Sequence, residues 1–280
     1  MKELLDFQYE RFNAQEYLDI HPDPVIVARR FSGHDFCSEI AFICACYAYG
    51  NAKALVKNLE SMPFYLFDSK NLISSIEAAP VAAFPYYRFQ TRLDTKLCFL
   101  VLASLLAQGG LYAAFCRGYK RANAVLDGLE SLHACLRQAV SSLLAKPSYL
   151  ENLAGASTPI DLPKISRSLG FLFGGNKTSA LKRSNLFLRW MVRRDYIDLG
   201  LWDEVSASDL LLPLDTHTFR ICSKLGLCKT KSPNRRAVLE ISARLREFDP
   251  KDPIKYDFAL YRIGQLKDSA LEALIERRNA

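Results

Sequence analysis

"FLFGGNKTSALKRSNLFLRW", residues 171–190, carries the pattern from which this chain is best read. An apolar run stops at Gly174 and Gly175, Lys177, Thr178 and Ser179 follow, and a new helix is expected to begin near Ala180. The pattern is helix, hairpin, helix, over about residues 163–194. Free N–H groups at the start of the second helix suit a phosphate oxygen, aided by the helix dipole and by lysine, and the glycines let the backbone approach it. A Gly-Gly pair also serves as a plain linker. At 100° per residue, Lys182, Arg189 and Arg193 fall within roughly 40° of one another, while Leu181, Leu188 and Val192 point elsewhere. The expectation is a row of cations for phosphates beside a packed side, against the plainer alternative of a solvated basic face.

Downstream, "LPLDTHTFRICSKLGL", residues 212–227, sets Asp215 before a short amphipathic helix whose Thr218, Ile221, Cys222 and Leu225 share one face and which Gly226 ends. Asp215 reads as a helix cap. It also stands 33 positions after Lys182. A lysine and an aspartate facing one another form a nucleophile with an electrostatic partner, suited to attack on a sugar C1′. That chemistry needs a neutral amine, which burial and neighbouring cations such as Arg183 and Arg189 would favour. It also needs an ionised carboxylate, which a helix N-terminus favours.

Working outward, helical periods recur along all 280 residues while alternating runs and hairpin turns are missing, so the fold class expected is all-α. The reading is one bilobal helical domain, residues 1–280, with a cleft between the lobes and a connecting loop at about 145–163. Helices are expected from Asp35 to about 48, from Asn51 to Ser61, at 93–107 and at 121–144. Two more should start at Ser232-Pro233 and Asp252-Pro253, the first with an apolar face of Val238, Ile241, Leu245 and Phe248. The uncharged stretch 97–116 has the length of a membrane span, but Gln108-Gly109-Gly110 interrupts it, and a buried central helix with its turn is the better reading. The opening "MKELLDFQYE" does not read as a secretory signal, and eight cysteines without a C-x-x-C pair read as reduced core residues. A net charge of +7 favours an anionic partner.

The helix-hairpin-helix pattern followed by "PLDTHTFR" resembles the helix-hairpin-helix DNA glycosylases, which carry a catalytic aspartate in a D-T-H or D-V-H segment. Most of them place a catalytic lysine, where they have one, inside the hairpin, where Lys177 stands; the spacing from Lys182 to Asp215 is closer to the archaeal 8-oxoguanine branch. Over roughly residues 20–265 the chain also resembles a bacterial family of unknown function, through "DPVIVARRF", "SALKRSNLFLRWMVRRD", "LPLDTHTFR" and "DPIKYDFALYRIG".

The resemblance implies a bifunctional repair glycosylase: Lys182 forms a Schiff base with C1′, Asp215 assists, an oxidised base (8-oxoguanine first) leaves, and the strand is nicked by β-elimination. Its partner would be double-stranded DNA carrying a damaged base, bound by a cytoplasmic, nucleoid-associated monomer through Gly174, Gly175, Lys177, Thr178, Ser179, Arg189, Arg193 and Arg220. A residue wedged into the base stack is expected from "CYAYGNAKAL", namely Tyr49 or Asn51, with a plain helix cap the equal alternative for Asn51. Tyr256, Phe258 and Tyr261 could stack on an extruded base or belong to the core. No cysteine follows Cys228, so the iron–sulfur cluster of many such enzymes is not expected, nor any other cofactor. His217 lies beside Asp215, but His21, His34 and His133 offer no ligand spacing, and no metal is expected. The rival reading is a helix-hairpin-helix DNA-binding protein without catalysis.

Overall fold

The structure, a computed structural model, describes residues 1–20, 22–155, 160–176 and 178–266, without the side chains at 15, 17, 19 and 264–266. The described residues are helical, with two isolated β-bridges and no strand. They form two compact units, Met1–Val25 with Asn176–Ala280, and Ile26–Gly175. The chain passes between them at residues 25–26 and 175–176, so the loop expected at 145–163 is not the boundary.

From the N-terminus come α1 (Lys2–Phe12), α2 (Gln15–Ile20), α3 (Val25–Arg29), α4 (Cys37–Cys46), α5 (Ala52–Glu60), α6 (Leu72–Ala78) and α7 (Arg92–Leu106). Then follow α8 (Gly110–Ala122), α9 (Val125–Leu144), α10 (Pro147–Ala154) and α11 (Leu162–Phe173). The last four are α12 (Lys182–Val192), α13 (Thr216–Lys224), α14 (Arg235–Phe248) and α15 (Asp257–Leu266).

In the unit Ile26–Gly175, the stretch 97–116 is indeed a buried helix and its turn. A capping box of Thr91 and Asp94 starts α7, whose Leu97, Cys98, Phe99, Val101 and Leu102 are buried. The helix stops at Gln108-Gly109-Gly110, and α8 leaves at 63°. Among the described residues no single helix is long and apolar enough to cross a membrane. Helices α8 and α9 approach closely because two glycines face the contact: a Cβ on Gly118 would lie 2.1 Å from the Asp127 carbonyl oxygen, and one on Gly128 would lie 2.4 Å from the Phe115 ring. Two expectations change here. The segment read as starting at 121 is two helices parted by left-handed Asn123. The loop read at 145–163 contains α10, because Pro147 suits the first helical turn; residues 156–159 lie outside the described residues.

In the other unit, α12 supplies Phe187, Leu188, Trp190 and Met191 to the core, α13 supplies Ile221 and Cys222, and α14 supplies Val238, Ile241 and Leu245; Phe248 is only half-buried. After α12 the chain doubles back, so that the Trp190 carbonyl accepts N–H bonds from Leu199 and Gly200. That return brings Trp202 edge-on to Phe187 at 5.1 Å between centroids. Helix α15 packs against α13 and α1. The cap of α14 is Asn234, whose side-chain Oδ1 accepts the Ala237 N–H at 3.1 Å, not Ser232 two residues before. Asp252-Pro253 instead opens a short 3₁₀ turn, Pro253–Tyr256, that leads into α15.

Candidate active site

Asp215 caps a helix and also meets Lys182. One carboxylate oxygen, Oδ1, accepts the Thr218 N–H at 2.8 Å and so caps α13; the other, Oδ2, lies 3.6 Å from Lys182 Nζ. Thr218, Ile221 and Cys222 are buried, as their shared face requires, and this fixes the rotation of α13 and hence the direction of the cap. The lysine side chain is 33% exposed and the aspartate 13%, so a substrate atom can reach the pair while the protein still orients it. Lys182 is the first residue of α12, and the residue before it, Leu181, has a left-handed backbone at φ 51° with its side chain buried. A leucine there costs roughly 1–2 kcal/mol, a strain of the sort held at functional positions.

Around this pair the groups are unevenly charged. Asp257, first residue of α15, is 3% exposed, and its Oδ2 accepts from Arg189 Nη1 at 2.5 Å. Burial raises its carboxyl above the usual range; Arg189 and Lys182 pull it down and Asp215 pushes it up, so Asp257 lies within electrostatic reach of both members of the pair. Tyr261, one turn on and half-buried, has its phenol pushed up to about 12 by burial and by Asp23, with Asp215 and Asp257 adding to the effect. The Cys222 thiol is raised well above its ordinary value by burial, with Cys228, Asp257 and Asp215 adding to it, so it is no nucleophile near neutral pH.

The cationic row expected on α12 is real in register and wrong in environment. Arg189 and Arg193 are 3% and 4% exposed. Arg189 binds Asp198 at 3.0 Å and Asp257; Arg193 binds Asp252 at 2.8 Å, Asp195 at 2.9 Å and also Asp198. Their guanidinium groups are consumed inside the protein and cannot grip phosphates. Periodicity places residues on a common face, but whether that face meets water or carboxylates at 195, 198, 252 and 257 depends on segments folded against it.

The hairpin turn also differs from expectation. Asn176 Oδ1 accepts the Thr178 N–H, the Thr178 hydroxyl and the Ser179 N–H at 3.0, 2.8 and 2.7 Å, so two amides expected to face a phosphate are satisfied within the turn. Arg235, which the sequence reading missed, ties the turn down: its N–H donates to the Thr178 carbonyl at 2.9 Å and its guanidinium to the Asn176 carbonyl at 3.1 Å. Gly174 is extended rather than left-handed, but the carbonyl of Gly170 would lie 2.2 Å from a Cβ there, so no other residue fits; Gly175 is half-buried. Lys177 lies outside the described residues. Arg220 is half-buried on α13 and His217 is exposed. No three His, Cys, Asp or Glu among the described residues form a metal-holding group.

In the unit Ile26–Gly175, Asn51 is a cap, its side chain accepting the Ala54 N–H at 3.1 Å. Tyr49 is half-buried, stacked on Phe89 at 6.0 Å and met edge-on by Phe171 at 5.1 Å, with its hydroxyl donating to Gln90. Phe89 is 62% and Phe171 41% exposed, and Arg88 sets its guanidinium over the Phe89 ring at 5.4 Å. Nothing in the spacing joins 49, 89 and 171; three separate segments bring them together. Of the aromatics considered for base stacking, Tyr256 is buried with its hydroxyl on Asp6, and Phe258 lies between the guanidinium groups of Arg189 and Arg262. Both belong to the core, which leaves Tyr261.

Residues 23–266 match the model of a family described as protein of unknown function (DUF2400). No curated protein and no solved structure matches the chain.

Proposed function

We infer that this chain, which belongs to the DUF2400 family of proteins of unknown function, is a DNA glycosylase with lyase activity that removes an oxidised base, 8-oxoguanine being the first candidate. The observation that supports it most is the pairing of Lys182 Nζ with a helix-capping carboxylate of Asp215 at 3.6 Å, both open enough for a substrate to reach. The reading takes residues 163–194 as a helix-hairpin-helix and places an extruded nucleotide in a cleft. In it, the lysine first loses a proton to solvent. The neutral amine then attacks C1′ as the bond to the base breaks and the base departs with the bonding electrons. Asp215 stays ionised and offsets the positive charge that develops at the sugar. The nitrogen, which then bears two protons, gives one to solvent; its lone pair expels O4′, which takes up a proton and becomes a hydroxyl, and a protonated imine is left at C1′. Loss of a C2′ proton and of the 3′ phosphate completes the elimination.

DNA would be held through the 174–179 turn, Lys177 included, and Arg220, and the net charge of +7 agrees with an anionic partner. Tyr49 with Phe89 and Phe171 offers an exposed aromatic group to support a distorted base stack. The protein would act at the nucleoid as a monomer.

The test is borohydride trapping on duplexes that each carry one damaged base. The wild type should form a covalent adduct that Lys182→Gln abolishes, and Asp215→Asn should cut its rate of formation at least ~100-fold, the scale of losing one electrostatic stabiliser. Trapping that survives Lys182→Gln and disappears with Lys177→Gln would move the nucleophile into the hairpin. Lesion-duplex binding without any adduct or base release, unchanged in Lys182→Gln, would replace the enzyme with a non-catalytic DNA-binding protein.

A further inference from the structure

Helices α6 and α9 both pack on α7, and α10 packs on α9, all within the unit Ile26–Gly175. These four helices enclose a cavity of about 340 Å³, which holds neither Lys182 nor Asp215. That volume stands near the lower end of small-molecule sites, roughly 300–1,000 Å³. Leu100 and Val101 of α7 are buried and form its base, with Leu143 of α9 beside them. Gln138, Ser142 and Lys146 are exposed and form its rim, and Glu77 of α6 stands half-buried between. Residues 135, 138, 139, 142 and 143 recur at the helical period, so α9 turns one continuous side to the cavity.

The walls are held by contacts that reach well beyond a turn. Lys96 of α7, itself buried, donates to the Glu77 and Ala79 carbonyls at 2.9 and 2.8 Å and so ties the end of α6 to α7. The Tyr149 hydroxyl donates to Glu77 Oε1, which joins α10 to α6. Burial and the Glu77 carboxylate push that phenol up, so it keeps its proton, and the bond, at neutral pH. Among the described residues, the second oxygen of Glu77, Oε2, and the amine of Lys146 have no hydrogen-bond or ion-pair partner. The cavity therefore offers one anion and one cation above an apolar base.

We propose that this cavity binds a small zwitterion with an apolar side chain, of the free amino acid kind. The ligand's ammonium meets Glu77 Oε2. Its carboxylate meets Lys146, with the Gln138 amide and the Ser142 hydroxyl as further donors, and its side chain lies on Leu100, Val101 and Leu143. One charge of each sign on the lining matches one of each sign on the ligand. A polyanion would set its charge against Glu77 with a single cation to offset it, and a wholly apolar ligand would cover both charges without pairing either. The site is additional to the proposed function and uses none of its residues.

Cys135 provides the test. It lines the cavity half-buried, Cys228 is half-buried in the other unit and serves as an internal control, and the remaining cysteines are buried. The full chain is treated with iodoacetamide with and without L-leucine, L-methionine or L-phenylalanine, and peptide mapping gives the alkylation rate at each cysteine. At least one of the three should bind with a Kd of about 1 mM or tighter by calorimetry. At a free concentration of about twice that Kd it should slow Cys135 roughly threefold by occupancy and leave Cys228 unchanged. Lys146→Met, which alters an exposed side chain, should weaken binding roughly tenfold or more, and so should Glu77→Gln, whose amide oxygen can still accept from Tyr149. The bound amino acid's analogues that lack the amine or the carboxylate, isocaproate and isoamylamine in the case of leucine, should bind at least ~10-fold more weakly. If Glu77→Gln fails to fold, Ser142→Phe, which fills the cavity from an exposed position, should abolish both binding and protection. No binding by any of the three amino acids overturns the proposal, as does binding that leaves Cys135 alkylation unchanged. An analogue that binds as tightly as the amino acid overturns it too, and so does wild-type affinity in Lys146→Met. None of these outcomes depends on borohydride trapping.

Discussion

Arg189→Gln separates a buried ion network from a phosphate-gripping surface. In the folded protein the guanidinium is 3% exposed, donates to Asp198 through Nε and Nη2 at 3.0 Å each, and meets Asp257 at 2.5 Å. Burial opposes its charge, but the two aspartates more than compensate, and the group stays protonated at every accessible pH. Removing it leaves Asp257 without its guanidinium and Asp198 with Arg193 alone. Breaking a buried ion pair by deleting one partner costs about 3–5 kcal/mol. At roughly 2–4 °C per kcal/mol for a chain of this size, Tm should fall by about 10 °C, with a matching drop in the urea midpoint. Arg189→Lys keeps the charge and loses the two-nitrogen grip on Asp198, so its loss should be smaller. Urea and thermal unfolding followed by circular dichroism measure all three proteins. An Arg189→Gln protein with a wild-type unfolding midpoint and weakened DNA binding would refute the argument and return Arg189 to the DNA-facing side.

Asp6 is partly buried, which raises its carboxyl, but bonds from Lys2, Tyr256 and Lys255 prevail and hold it at about 2. A lowered carboxyl contributes stability above its unfolded value, near pH 4, that is lost as pH falls toward 2. Asp6→Asn should therefore be less stable than the wild type at pH 7, and the gap should close below pH 3 in acid-unfolding curves; a constant gap would count against this coupling. Phe89→Ala and Phe171→Ala remove exposed rings, so Tm should move by no more than about 3 °C, while lesion-duplex affinity falls roughly 5–100-fold, the range of one base–aromatic stack. Unchanged affinity in both would remove the aromatic group from the proposed interface. If about six phosphates are neutralised, log affinity should fall against log salt with a slope of about −5, and Arg220→Gln should make it shallower by about 0.9. A slope unaltered by that change would exclude Arg220 from phosphate contact.

Local patterns were legible where the chain is its own partner. The cap at Asn51, the buried side of α13 and its stop at Gly226, and the broken helix at Gln108-Gly109-Gly110 all rest on interactions within a few residues. Lys182 and Asp215 could be nominated because each opens a helix and their side chains suit one another chemically. Two neighbouring start signals show the limit. Ser232-Pro233 and Asn234 are all plausible openings for α14, and the choice of Asn234 goes with Arg235 donating back to the 176–178 turn.

The order of residues alone determined that this chain is helical, where most helices turn, and which side chains share a face, because caps, glycines and a 3.6-residue period act over a turn or two. Only tertiary structure decided what each face meets. It buried Arg189 and Arg193 against four aspartates, Asp257 among them, and joined Tyr49 to Phe89 and Phe171. A charged side chain looks the same in sequence whether water or a carboxylate from 68 residues away balances it, and that balance is set only when distant segments pack.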